Sequence, residues 1–226
     1  MYQIRPAAER GHSRLSWLNS HHSFSFGDYF DPRFQGFSRL RVINEDRVAP
    51  GAGFASHGHR DMEIISYVRQ GTLAHQDSLG TREEIPAGEF QLMRAGSGIR
   101  HSEFNASSDA PVHFMQIWIK PAQHGLSPSY QQRAFAAQPG LQAIATADGA
   151  DGTLQIAQDM TLYRWQGGPL DYDLEPGRWL YLHLLEGQLG GAGISLNPGD
   201  ALQLRQPGHF ELEGQGEALL FDLPAD

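Results

Sequence analysis

The sequence predicts an all-β protein, and three observations carry that prediction. Apolar and polar residues alternate over short runs, as in 112–119, where Phe114, Gln116 and Trp118 interleave with Met115, Ile117 and Ile119. Twenty-six glycines and thirteen prolines in 226 residues set turns between those runs, and strands at turn-marked intervals build barrels or sandwiches. The turns also fall in corresponding places in the two halves, which suggests a duplicated unit. With 40% hydrophobic and 19% charged residues the chain has the composition of an ordinary globular protein, long enough for two small β-domains.

Residues 1–36 open with a polar, Arg-rich segment and continue into His21-His22-Ser23-Phe24-Ser25-Phe26. Phe24 and Phe26 have strand spacing and suit a core-packing arm, and Asp31-Pro32 starts a turn. His21 and His22 are adjacent and must point oppositely, so they cannot both serve one metal; solvent or backbone hydrogen bonding is expected for them. A strand over 38–43 ends at Gly51-Ala52-Gly53. The runs 62–69 and 72–76 flank Gln70-Gly71 and read as a hairpin. Further turns at 77–80, Pro86-Ala87-Gly88-Glu89 and Ala95-Gly96-Ser97-Gly98 precede the runs that follow them. Between Pro121 and Gly149 the pattern loosens, and 129–137 is expected to form one short helix within a linker. Strand signals return at 153–157, 161–165, 179–185, 201–204 and 218–223. Glu186-Gly187 and Asn197-Pro198-Gly199-Asp200 repeat the places of Gln70-Gly71 and Pro86-Ala87-Gly88-Glu89. The expected division is a metal-binding domain over 1–125, a linker over 126–148 and a second domain without metal ligands over 149–226.

Seventeen basic against twenty-six acidic residues give a formal charge of −9. That charge repels phosphate backbones and anionic lipid, and the basic residues form no patch, so neither nucleic-acid nor membrane binding is expected. The absence of cysteine excludes disulfides, thiolate ligands and a cysteine nucleophile, leaving His, Asp and Glu to hold any metal. The first twenty residues carry Arg5, Arg10 and Arg14 around Glu9 without an apolar stretch, so a secretory signal is not expected and the cytoplasm is the expected compartment.

One constellation stands out: His57-Gly58-His59 after a Gly-rich turn, and His101-Ser102-Glu103 after another. Side chains two apart in a strand share a face, so two such pairs on facing strands make a four-ligand cage. Imidazoles with one carboxylate suit iron, nickel, cobalt, copper, manganese or zinc, whereas calcium or magnesium would want an all-oxygen shell. A single His-X-His is weak evidence; the full set of spacings with its glycines is specific. The second half has only His183 and His209, neither in such a pair, and His183 is expected to be a hydrogen-bonded core histidine. His75 and His113 read as ordinary polar or core positions.

Gly51 followed by five residues, His57-X-His59, three residues and Glu63 resembles the first motif of the cupin superfamily. Pro86-X-Gly88 matches part of the second, with the histidine displaced to His101. That variant, together with His22-Ser23-Phe24-Ser25-Phe26 and Ala87-Gly88-Glu89-Phe90-Gln91, resembles the pirin family, in particular bacterial pirin-like proteins with quercetin 2,3-dioxygenase activity. The resemblance implies a bicupin, two double-stranded β-helix (jelly-roll) barrels joined by the linker. It implies His57, His59, His101 and Glu103 as ligands of one divalent ion, iron(II) foremost. Glu63, a ligand position in ordinary cupins, is then left to orient a histidine from behind. It further implies a flavonol substrate and dioxygen, with Glu103 both ligand and general base for the enol proton, and ring opening with release of carbon monoxide. Phe54, Met93 and Trp118 are the candidate apolar walls of the substrate cavity and Gln116 a polar contact. The alternative from the same family is a metal-bound regulatory protein that binds a protein partner.

Overall fold

Along Ile99–Asn105 every second side chain is buried, from Ile99 through His101 and Glu103 to Asn105, because successive residues of a strand face opposite sides of the sheet. The computed structural model describes residues 2–226, and these form nineteen β-strands with no α-helix. None of the described helical segments is long and apolar enough to cross a membrane. The chain divides into two compact units, one of residues 11–135 with 156–158, the other of residues up to Arg10 with 136–155 and 159–226.

Numbered along the chain, β1 (Tyr2–Arg5) belongs to the second unit. The first unit holds β2 (Gly11–Arg14), β3 (Leu18–His22), β4 (Leu40–Val48), β5 (Gly53–His59), β6 (Glu63–Gln70), β7 (Thr72–Asp77), β8 (Arg82–Pro86), β9 (Glu89–Arg94), β10 (Ile99–Asn105), β11 (Val112–Ile119) and β12 (Ser129–Ala134). These make a seven-stranded sheet, ordered β12-β9-β6-β11-β4-β3-β2, and a four-stranded sheet, ordered β5-β10-β7-β8. From β4 to β11 the chain passes back and forth between the two, the winding of a double-stranded β-helix.

Three expectations change here. Residues 70–71 do not make a hairpin: β6 pairs with β9 and β11, and β7 with β8 and β10. Only Gly71 separates the two strands, too little for a two-residue hairpin loop, and at φ 77° it turns the chain from one sheet into the other. The helix expected over 129–137 is instead β12, an edge strand laddered to β9 from Ser129↔Arg94 to Ala134↔Glu89. Its polar Gln131-Gln132-Arg133 stretch has no apolar stripe to hold a helix against a core, and the open edge of β9 supplies backbone partners. The domain boundaries shift as well, because β1 pairs with a C-terminal strand and residues 126–135 go with the first unit.

The second unit adds β13 (Gly140–Thr146), β14 (Leu154–Gln155), β15 (Thr161–Leu174), β16 (Arg178–Gly191), β17 (Ile194–Leu196), β18 (Ala201–Leu204) and β19 (Gly208–Pro224). They and β1 form an eight-stranded sheet, ordered β1-β18-β16-β19-β15-β13-β14 with β17 beside β16. Register shifts at 166–168 and 184–186 let the long strands bend around a core of Trp165, Leu182, Leu184, Leu202 and Leu220.

In the first unit Gly53 faces the backbone of β10 so closely that a Cβ there would fall on the Glu103 carbonyl oxygen and 2.5 Å from Phe104 Cα. Gly53→Ala is therefore expected to push β5 off β10 at a cost of about 1–3 kcal/mol, read as a lowered Tm.

Candidate metal centre

Register brings the chemistry together. On the β5–β10 ladder His57 lies directly across from His101 and His59 across from Ile99, and a register shift then leaves Glu103 across from Phe54. On the other side of β10, β7 sets Asp77 across from His101 and His75 across from Glu103. Directly opposed residues share a face, so His57, His59, His101, Glu103, His75 and Asp77 all project from one face of the four-stranded sheet.

The Nε2 atom of His101 is 3.0 Å from Nε2 of His57 and 3.0 Å from Nε2 of His59. At a metal–nitrogen distance of roughly 2.1 Å, neighbouring ligands of an octahedral ion stand about 3.0 Å apart, against about 3.4 Å around a tetrahedral one. Both edges are short enough for one ion to be held among the three imidazoles. His57 Nδ1–H donates to the Ala55 carbonyl at 2.8 Å, which fixes the tautomer that leaves the Nε2 lone pair at the centre. Burial, reinforced by the neighbouring imidazoles, pushes His59 down to about 4 and His101 down to about 3, so both are neutral near pH 7, as ligands must be.

Glu103 is buried and its carboxylate is held from both sides: Ser66 Oγ donates to Oε1 at 3.2 Å and Gln116 Nε2 donates to Oε2 at 2.7 Å. The donor atoms of His57, His59 and His101 lie within 4.8 Å of one another, and those of His75, His101 and Glu103 do likewise, so the two groups meet at His101. His75, buried with Nε2 3.1 Å from Asp77 Oδ2 and its ring 5.4 Å from that of His101, belongs to the site's surroundings in a way the sequence reading did not expect. His113, by contrast, simply pairs with Glu45 at 3.1 Å.

A cavity of about 750 Å³ opens beside His57, His59 and Glu103. Phe54, Trp118 and Gln116 line it, and Trp17 and Phe26 join them. Two edge-to-face pairs, Trp17 with Phe54 at 5.3 Å and Phe26 with Trp118 at 5.4 Å, give it aromatic walls. Met93 is not part of it. It is fully buried among Ile64, Ala95 and Ile99, because its position on β9 faces that apolar cluster.

Glu63 does not orient a histidine. Between His59 and Glu63 the chain turns at Asp61, φ 50°, so strand alternation counted from His59 does not carry across. Glu63 instead accepts from Arg94 Nε at 2.9 Å and from the Ala157 amide at 3.3 Å. Burial raises its pKa against the pull of Arg94. Glu63→Gln is expected to lower stability by roughly 1–3 kcal/mol in a thermal melt while metal content per protein stays at the wild-type level.

The sequence reading missed a polar row crossing the seven-stranded sheet. Gln91, Ser66, Gln116, Asn44 and His22 stand directly across from one another on β9, β6, β11, β4 and β3, all buried. The buried ring of His22 is held by side chains: Nδ1–H donates to Asn44 Oδ1 at 2.8 Å, and Nε2 accepts from Ser13 Oγ at 2.9 Å. His21 points the other way and stacks on His12. Asp46, two residues beyond Asn44, is pushed up to about 7 by burial, against a hydrogen bond from Ser20 and with the charges of Glu103 and Glu45 adding to the rise. The available signal was the polar pair Asn44 and Asp46 at alternate positions, on the face of β4 that also carries Leu40, Val42 and Val48. In the second unit His183 is buried on β16, and His209 is exposed between Asp173 at 2.9 Å and Glu211 at 3.2 Å.

The lowered histidines carry a pH dependence. Their folded pKa values lie below the usual 6.5, so below that pH the unfolded chain binds more protons than the folded one. Stability is complete above pH 6.5 and is lost as pH falls through about 4 and 3. The metal-free protein should accordingly show a falling Tm between about pH 7 and pH 4, and a flat profile would contradict the burial of these rings.

A family model described as Pirin matches residues 3–119, and one described as Quercetinase C-terminal cupin domain matches 143–223. The chain is 45% identical over 229 residues to a quercetin 2,3-dioxygenase of Escherichia coli K12, covering 99% of each. It is 41% identical over 214 residues to a Pseudomonas aeruginosa protein named putative quercetin 2,3-dioxygenase, covering 91% of each. Among solved structures it resembles the bacterial pirin YhhW of Escherichia coli in complex with nickel(II), with a TM-score of 0.96, 44% identity and 100% of both chains covered. A quercetin 2,3-dioxygenase of Acinetobacter baumannii, 18% identical with a TM-score of 0.77 over 99% of this chain and 79% of that one, shares the fold. Both halves are cupin domains, and the chain belongs to the pirin family.

Proposed function

We propose that the protein is a metal-dependent dioxygenase that opens a flavonol such as quercetin, with His57, His59, His101 and Glu103 holding the ion. The observation that carries this reading is the convergence of three imidazoles, with Nε2 of His101 3.0 Å from Nε2 of both His57 and His59, on the wall of an aromatic cavity of about 750 Å³. The names of the relatives supply the substrate class. We take iron(II) as the expected ion; nickel(II) is the ion bound in the Escherichia coli structure.

A divalent ion held by His57, His59, His101 and Glu103 would supply a positive charge that acidifies an enolic hydroxyl. Glu103 takes the enol proton. Ser66 and Gln116 hold its carboxylate by donating to both oxygens, so that it meets the hydroxyl without reorganising. Phe54, Trp17, Phe26 and Trp118 give a flat ring system apolar faces to lie against and keep water from the electron-rich enolate. In the overall reaction both atoms of dioxygen enter the organic product and one ring carbon leaves as carbon monoxide.

The test is elemental analysis of protein purified without added metal, followed by oxygen uptake with a panel of flavonols. Oxygen consumption proportional to bound metal is expected with quercetin. Metal-replete protein that consumes no oxygen with any flavonol would overturn the reading in favour of a metal-bound regulatory role.

A further inference from the structure

We infer that Asn44 and Asp46 form a recognition subsite for the ring hydroxyls of the substrate, remote from the enol, so that the protein selects polyhydroxylated flavonols over those lacking ring hydroxyls. The inference rests on the flavonol reading above and adds to it the chemical feature that decides which flavonol is taken.

Both residues sit on β4, two apart, so they share a face, and both line the same cavity as His57, His59 and Glu103. Each is only 2% exposed on a strand otherwise buried through Leu40, Val42, Ile43 and Val48. An amide and a carboxyl at such positions cost desolvation that Leu or Val would not, and the protein makes up only part of it.

The hydrogen bonds show which atoms are left. The ring of His22 is locked between Ser13 and Asn44, and because its Nδ1–H takes the Asn44 oxygen, the amide is turned so that Nδ2, a donor, is the atom it can present to the cavity. Asp46 lies across from Ser20, which donates to it, while its Oδ1 atom has no hydrogen-bond partner in the protein. Glu103 differs on this point, since Ser66 and Gln116 engage both of its oxygens. The proposed chemistry at the metal uses Glu103 and leaves Asp46 without a part.

A donor and an acceptor two residues apart on one face of a strand, roughly 7 Å between their Cα atoms, suit a pair of neighbouring ring hydroxyls, one accepting from the Asn44 amide and the other donating to Asp46, which ring hydrogens cannot do. Trp17, Phe26 and Phe54 line the same cavity and supply faces for the ring that bears them. A site built to bond a hydroxyl discriminates strongly against the analogue without one, because its own buried polar groups are then stranded.

The experiment compares quercetin with 3-hydroxyflavone, which keeps the enol and lacks every ring hydroxyl. Dissociation constants are read from quenching of tryptophan fluorescence, with Trp17 and Trp118 in the cavity wall, for the metal-loaded wild type, Asn44→Ala, Asp46→Ala and the isosteric Asp46→Asn. Wild type is expected to prefer quercetin. Asn44→Ala and Asp46→Ala should each weaken quercetin about ten- to a hundredfold, leave 3-hydroxyflavone within about twofold and keep full metal content. Asp46→Asn should fall between them and wild type, and it carries the test if an alanine variant does not fold. Equal weakening of both flavonols, or no weakening of either, overturns the subsite. Because affinity is read without turnover, a wild type that binds quercetin but consumes no oxygen overturns the dioxygenase and leaves the subsite standing; a wild type that binds neither flavonol overturns both.

Discussion

Replacing Glu103 by Gln is expected to cost roughly a hundredfold to ten-thousandfold in flavonol turnover per bound metal, with flavonol affinity changing far less. Glutamine keeps a coordinating oxygen but cannot accept the enol proton. The surroundings make the substitution structurally mild. Gln116 Nε2 needs an acceptor, because its own Oε1 is engaged by the Trp118 indole at 3.3 Å, so the oxygen of the new amide must face Gln116. Its amino group then faces Ser66, whose hydroxyl can rotate from donor to acceptor. The loss should therefore be one of chemistry and not of fold. Oxygen consumption at saturating quercetin, normalised to metal, is the measurement. Wild-type turnover in metal-replete Glu103→Gln would remove Glu103 as the base.

His101→Ala is expected to remove the metal almost completely, a larger effect than the roughly ten- to hundredfold typical of losing a group behind a ligand. His101 is where the two sets of donor atoms meet, and its Nε2 closes both measured edges of the triangle. The sheet should survive, because β10 is laddered on both sides, to β5 and to β7, through its backbone. Metal content after dialysis, together with the thermal melt of the dialysed protein, separates the two effects. Near-stoichiometric metal in His101→Ala would sink the assigned centre.

Much of this was legible in the sequence for a physical reason: alternation in a strand is a local property. That His57 shares a face with His59, and His101 with Glu103, follows from a period of two; Phe54, an odd number of residues from His57, reaches the cavity only through the register shift that sets it across from Glu103. The errors arose where local periodicity meets something non-local. Glu63 was counted along a strand that the left-handed turn at Asp61 interrupts. Met93 was assigned to the cavity by its apolar type, and packing against Ile64, Ala95 and Ile99 took it elsewhere. Gly71 was read as a hairpin turn, although whether its flanking strands pair depends on which other strands compete for their edges.

By itself, then, the sequence determined the β class, the duplicated organisation, the absence of thiolate chemistry and three of the imidazoles able to hold an ion, those of His57, His59 and His101, all of which rest on composition and short-range spacing. Only the tertiary structure decided that β1 joins the second unit, that His75 stands behind His101, and that Gln91, Ser66, Gln116, Asn44 and His22 line up across five strands. Such neighbours are set by the register between strands far apart in the chain. A slip of one residue would turn each of them to the opposite face, and no local pattern records which register the packed core selects.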